Sequence, residues 1–274
     1  MSEAKSFIDA SDLESNVAYG MKGEIAIDSF DILSCSMTSL HLGLSGIISS
    51  GFEIGWVSQV TIRLYHRFNL VGEITCPHEP ILPDSDNRVT IDWKESKESE
   101  MHIKNMIGWK HFFEGFMPKV GTSHEPKDLN WPMAGLEVSA SGHRLIISID
   151  MAKMDRMTAI VKSLTLSDDA LKIVLATDNQ SPVTLGFDGD CNFVLEKEQR
   201  TIGYVKGQMQ IAFDEEVLIL RGRFCREASG MATLKGSTFE SSDEKASWRQ
   251  YALRLFEVEV NLDKLVIKKK NKGE

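Results

Sequence analysis

The sequence predicts a mainly β protein that consists of two tandem antiparallel β-sandwich domains with one or two short helices. Three observations predict this class. Residues 40–74 resemble residues 171–205, alternate positions in both copies are apolar, and turn-forming residues separate the alternating runs. The length of 274 residues suits two domains of ordinary size. A chance agreement between two strand-rich stretches is the alternative explanation of the repeat.

The repeat itself defines the predicted strands. Leu40 aligns with Leu171 and Ile74 with Val205 without a gap. Apolar side chains at i, i+2 and i+4 line one face of a strand, so the alternating positions of both copies are expected to be buried. The aligned apolar positions are Phe52, Ile54, Trp56, Val60, Ile62 and Leu64 in the first copy, and Val183, Leu185, Phe187, Cys191, Phe193 and Leu195 in the second.

Weaker matches extend the repeat and set the predicted domain boundary. GWKHF at 108–112 resembles SWRQY at 247–251, and LEV at 136–138 resembles VEV at 258–260. The sequence therefore predicts a first β-sandwich domain over residues 1–141 and a second over residues 142–274.

Two segments carry helical periodicity instead of alternation. Residues 151–164 place Met154, Met157, Val161 and Leu164 on one helical face, which predicts a helix against the sheet. Residues 102–116 have apolar side chains at three- and four-residue steps, which predicts a short helix over a sandwich edge.

Composition and charge exclude several classes of function. The net charge of −9 argues against nucleic-acid binding, which needs a basic field. The most apolar run, residues 40–57, contains His41 and Glu53, so no membrane span is predicted. The N-terminal residues lack the features of a secretory signal, and the four cysteines are far apart. We therefore expect a cytoplasmic location.

Three phrases in the second copy resemble a known family. They are NQSPV at 179–183, RTIG at 200–203 and SW at 247–248. Together with the alternating strands, they resemble the late-embryogenesis-abundant type-two (LEA2) domain, in the tandem form of a fungal family of largely uncharacterised, often membrane-anchored proteins. The resemblance implies an immunoglobulin-like sandwich and affinity for apolar partners. The sequence contains no anchor helix of the kind found in that family, so a membrane role is not predicted.

Histidine and tryptophan are concentrated in the first copy. Six of the seven histidines and four of the five tryptophans precede residue 141. Imidazole titrates near neutrality and indole offers an apolar surface with one donor, which together suit a small-molecule site. The predicted catalytic residues are His111, His102 and His78, and the predicted substrate-binding residues are Trp109, Trp131, Trp56 and Tyr65. A fluctuation of composition is the alternative, and Trp56 aligns with Phe187 as expected of a core residue.

No pattern predicts a metal or a cofactor. The phrase His-Glu-Pro occurs twice, at 78–80 and 124–126, but no spacing typical of zinc ligands accompanies it. The sequence has no phosphate-binding glycine loop and no Gly-x-Ser-x-Gly nucleophile turn.

The functional hypothesis is therefore a cofactor-independent enzyme. It would bind a hydrophobic small molecule and promote its cyclisation or isomerisation, as a fungal biosynthetic protein does, by orienting the substrate and donating one hydrogen bond. The alternative is a non-catalytic lipid- or partner-binding LEA2-like module. The concentration of His and Trp in the first copy and the missing anchor favour the enzyme. The sequence does not predict the substrate or the oligomeric state.

Overall fold

The protein is mainly β, as predicted. A computed structural model describes residues 23–35, 38–50, 57–75, 81–93, 100–121, 133–139, 142–187, 189–212, 214–240 and 247–267. The chain divides into two compact units. The first consists of residues 1–112 and 127–154, and the second of residues 113–126 and 155–274.

The first unit is one curled sheet. In chain order its described strands are β1 (Gly23–Cys35), β2 (Ser39–Ser50), β3 (Val57–His66), β4 (Asn69–Thr75), β5 (Arg88–Trp93), β6 (Glu100–Ile103), β7 (Met133–Ser139) and β8 (Gly142–Asp150). Their order in the sheet is β1-β2-β6-β4-β3-β8-β7, and β5 also pairs with β2. Helix α1 (Met106–Phe116) follows β6, and a 3-10 helix (Met151–Lys153) follows β8.

The second unit has a closely related sheet. Its strands are β9 (Thr158–Ser167), β10 (Ala170–Asn179), β11 (Val183–Gly186), β12 (Asp190–Lys197), β13 (Arg200–Gly207), β14 (Gln210–Ile211), β15 (Asp214–Phe224), β16 (Met231–Glu240), β17 (Glu257–Asn261) and β18 (Val266–Ile267). Eight of them form the order β17-β16-β12-β13-β15-β10-β9-β18, while β11 pairs with β14. Helix α2 (Ser247–Arg254) precedes β17, and a 3-10 helix (Leu262–Lys264) follows it.

Alternating side chains form the two cores, as the repeat predicts. Val60, Ile62 and Leu64 are buried on β3, and the aligned Cys191, Phe193 and Leu195 are buried on β12. The hairpin β3–β4 corresponds to β12–β13, and α1 corresponds to α2. In both units, the strand before the 35-residue repeat approaches the strand that carries the LEV or VEV match: β1 approaches β7 in the first unit, and β9 approaches β17 in the second. Each sheet is therefore curled around its own apolar core and is β-sandwich-like.

The units differ at one strand position. In the second unit, β16 lies between β12 and β17 and runs antiparallel to both. In the first unit the corresponding position, between β3 and β7, is filled by β8, which runs parallel to β3. Strand β8 thus belongs to the first unit, although the predicted second domain begins at Gly142. The division into domains at residues 141 and 142 stays a prediction.

The predicted helix over residues 151–164 is wrong. Only Met151–Lys153 is helical, as a 3-10 turn in which the carboxylate of Asp150 accepts a hydrogen bond from the amide of Ala152. The rest is strand β9, which is rich in β-branched residues and pairs along its length with β10. Met154, Met157 and Leu164 are buried all the same, so their helical spacing was a coincidence of a bent, extended chain. The predicted helix at 102–116 is confirmed as α1, with its first residues in β6.

Two glycines provide a test of this packing. At Gly222 on β15, a Cβ atom would overlap the carbonyl oxygen of Tyr204 on the neighbouring strand β13. At Gly115 in α1, a Cβ atom meets no heavy atom of the described residues within 4 Å. We expect Gly222→Ala to lower the free energy of unfolding by roughly 1–3 kcal/mol, and Gly115→Ala to raise it by about 0.5–1 kcal/mol. Urea denaturation measures both, and equal stabilities of the two variants would contradict the strand pairing.

Candidate functional site

The predicted site residues that the structure describes all lie in the first unit. His102 is exposed on β6, and His111 is exposed on α1, where its ring lies 5.6 Å from that of His66. Trp109 is buried in α1 and stacks on Phe112 at 5.4 Å. These positions place the two imidazoles on the surface and the indole in the core.

The other predicted residues do not add to this group. Tyr65 is buried on β3, where it stands in register with Leu70 and Asp150. His78, Trp56 and Trp131 lie outside the described residues. The catalytic and substrate-binding roles of all seven residues stay predictions.

A groove in the second unit is the candidate site. It has a volume of about 550 Å³ and lies where β9 and β17 face each other. We call it the β9–β17 groove and define it by residues 118–121, 156–164, 257–259 and by Met231, Asn261, Lys264 and Val266. Its volume is within the range of pockets that hold small organic ligands.

One end of the groove is closed by backbone hydrogen bonds. Residues 116–118, the last residue of α1 and the two that follow it, connect the two strands. The carbonyl oxygen of Phe116 accepts from the amide of Met157, and that of Pro118 accepts from the amide of Glu257, both at 2.9 Å. Arg156 fixes the same segment, because its guanidinium donates to the carbonyl oxygens of Met117 and Glu114 at 3.0 Å. Burial lowers the pKa of Arg156 from its ordinary value.

Helix α2 holds this end in place. Trp248 is buried and stacks on Phe113 at 5.5 Å. The hydroxyl of Tyr251 donates to Glu114 Oε1 at 2.8 Å. Burial, and then the hydrogen bond and the negative charge of Glu114, raise the pKa of Tyr251 to about 12. The end of α1 and the segment after it are thus bound to α2 as well as to β9.

The walls of the groove consist of exposed apolar side chains and of a backbone edge of β17 with which no described strand pairs. Ile160, Met231 and Val266 are large apolar residues that are 56%, 51% and 56% exposed. Among the described strands, β17 pairs only with β16 and leaves its other edge toward the groove. An elongated ligand could therefore contact apolar side chains and backbone polar groups at once.

The groove was not predicted from the sequence. Its lining residues are common types without motif spacing, and its most exposed strand was predicted as a helix. The one available indication was that residues 158–167 combine β-branched residues with an internal lysine, a composition typical of an edge strand.

Similarity to known proteins does not assign the site. No protein-family model and no curated protein sequence matches this chain. Among solved structures, it is similar to the crystal structure of red sea bream transglutaminase, at 13% identity and a TM-score of 0.24, over 91% of this chain. The chain spans 31% of the length of that protein. At such a TM-score the likeness carries no argument, and the LEA2 resemblance stays a prediction.

The described helices and side-chain clusters bear on the predicted partners. Neither α1 nor α2 is long and apolar enough to cross a membrane, nor is any other helix in the described part of the chain. Within the same ranges, no group of three or more His, Cys, Asp or Glu side chains is arranged to hold a metal ion. The cytoplasmic location stays a prediction.

The Tyr251–Glu114 hydrogen bond predicts a specific pH dependence of stability. We expect Tyr251→Phe to lower the free energy of unfolding by about 1 kcal/mol near neutral pH, because one hydrogen bond is lost. The folded pKa of about 12 lies above the ordinary value of 10.0, so this contribution is fully present below pH 10 and is lost as the pH rises toward 12. Urea denaturation of wild type and variant between pH 7 and pH 12 measures it. A stability difference that stays constant up to pH 12 would contradict the assignment.

Proposed function

We propose that this chain is a binding protein whose second unit holds an elongated, partly apolar ligand in the β9–β17 groove. The observation that carries the proposal is the groove itself: about 550 Å³ of space, lined by half-exposed Ile160, Met231 and Val266, between two strands that are not paired with each other. Affinity for an apolar ligand is common to both functional hypotheses drawn from the sequence, and it is what the LEA2 resemblance implies.

The binding hypothesis is better supported than the catalytic one. The described lining of the groove contains no histidine, which is the side chain that most often acts as general acid or base. His102 and His111 lie in the first unit and are exposed. Cyclisation or isomerisation of a bound ligand therefore stays a prediction, and the non-catalytic module is the function we propose.

The charged side chains that line the groove also support the proposed binding function. Four basic and two acidic side chains line the groove: Lys119, Arg156, Lys162 and Lys264 against Glu257 and Glu259. The whole chain, in contrast, has a net charge of −9. A local excess of positive charge on an acidic protein favours a ligand that is anionic as well as apolar.

A fluorescent probe with these properties tests the proposal. We expect the anionic aromatic dye bis-ANS to bind the wild-type protein with increased fluorescence, and Ile160→Lys to weaken its binding at least fivefold, because a lysine there removes apolar surface from the groove wall. The matched control is Ile219→Lys: Ile219 is the same residue type, 42% exposed on β15, and does not line the groove.

The control variant is expected to change the dissociation constant by less than twofold, with both variants keeping the circular dichroism of the wild type. Equal loss of affinity in the two variants, or no binding by the wild type, would refute the groove as the site.

A further inference from the structure

Strand β9 has one edge that is only partly used. Along one side it pairs with β10 from Thr158 to Ser167. On its other side it pairs with β18 alone, at Thr165 and Leu166. No other described strand pairs with residues 158–164 on that side, which is the side of the groove.

Such an edge presents backbone donors and acceptors in a fixed order. In a strand, every second residue directs its N–H and C=O groups to the same side, so an unused edge is a template for another extended chain. The seven residues 158–164 provide about 20 Å of this template at roughly 3.3 Å per residue. An extended peptide of six or seven residues matches that length.

Strand β18 of the same chain already pairs with this edge of β9. Val266 and Ile267 of β18 run parallel to β9 and lie in register with Thr165 and Leu166. A peptide that paired with residues 158–164 would continue the row that β18 begins. Strand β18 thus shows that this edge of β9 accepts an added strand at one end, at Thr165 and Leu166.

A bulge limits what the edge can accept. In the pairing of β9 with β10, the register shifts between Val174 and Leu175, so that Lys162 is the extra residue of β9. The ammonium group of Lys162 lies 3.3 Å from Glu215. Bulges and lysines on an edge strand prevent unlimited sheet-to-sheet pairing. The edge therefore suits a short segment better than the long flat strand of a second copy of this chain.

Charge defines the peptide further. The groove contains the excess of basic side chains described above. Lys162 pairs with Glu215, and Glu257 lies 4.0 Å from Lys235, so each of these charges has a partner outside the lining. Lys264 is exposed at the end of the groove next to β18. Acidic side chains in a bound segment would complement the basic side chains that line the groove.

We infer that the ligand of the β9–β17 groove is an extended, acidic peptide segment of another protein, which adds as one further strand to β9 along residues 158–164, the part of this edge that no described strand occupies. The inference rests on the proposed function and names the class of its ligand. Backbone hydrogen bonds to residues 158–164 supply affinity, and alternate side chains of the peptide contact Ile160 and Met231. The other backbone edge of the bound peptide faces away from β9.

The test uses the whole 274-residue chain and peptides that are selected for binding to it. Random twelve-residue peptides displayed on phage are selected against the wild-type protein and counter-selected against Ile160→Lys. The best peptide is synthesised, and each amide of its core is N-methylated in turn, which removes one donor and leaves the side chains unchanged. We expect alternate positions to lose at least tenfold in affinity, and the positions between them to change less than twofold, because only every second N–H faces β9.

Hydrogen exchange supplies a second readout that side-chain contact alone would not change. We expect the peptide to slow exchange of backbone amides within residues 158–164, whereas bis-ANS leaves these amides unprotected. The same residues in the Ile219→Lys variant should be protected as in the wild type. Protection confined to other parts of the chain would refute strand addition at β9.

The outcomes separate the two proposals. Alternating sensitivity to N-methylation together with protection of residues 158–164 supports strand addition. If bis-ANS binds in the groove but no peptide distinguishes wild type from Ile160→Lys, or if N-methylation is tolerated at every position, the peptide inference is refuted and the proposed function is retained. If neither bis-ANS nor a peptide is sensitive to Ile160→Lys, both are refuted.

Discussion

The burial of alternate apolar side chains within a single curled sheet is the constraint on which the rest of this structure depends. Each unit covers one apolar core with a sheet to which eight of its described strands belong, and β1 and β7 in the first unit, like β9 and β17 in the second, are thereby brought close together. A sheet that curls in this way without closing by hydrogen bonds leaves two edges that face each other. In the second unit these edges belong to β17 on one side and to β9 with the two-residue β18 on the other, and the space between them is the candidate site.

The elements that surround this space hold it open by specific contacts. Residues 116–118 bridge the two strands at one end, and the return of the chain through the 3-10 helix to β18 occupies the other. The bridging segment is itself fixed by Arg156 and by the packing of Phe113 on Trp248. Because these contacts involve backbone carbonyls and buried aromatic rings, the two strands are held at a fixed separation at that end instead of closing on each other.

The two copies of the repeat show how a fold is retained while a strand is replaced. In the second unit, β16 fills the position beside β12 in the antiparallel sense; in the first, β8 fills the equivalent position beside β3 in the parallel sense. Either direction satisfies the backbone groups of the neighbouring strand and presents alternate apolar residues to the core. Leu145, Ile147 and Ile149 of β8 are buried, and so are Ile146 and Ser148 between them. A sequence repeat therefore identifies the strands that the two copies share, but it does not identify which strand completes each sheet.

The sequence by itself determined the class of fold, the alternating core positions of β3 and β12, helix α1 and the existence of a repeat, because side-chain alternation depends only on local strand geometry. It did not determine the candidate site. His102, His111 and Trp109 were selected by residue type, yet folding leaves the two imidazoles exposed and buries the indole. The groove arises from the closure of the sheet, from the register of β18 on β9 and from a segment of the chain about forty residues before β9, the bridge at residues 116–118. These are long-range pairings between residues of ordinary type, and only the tertiary structure decides them, since no local pattern specifies which strand edge remains unpaired.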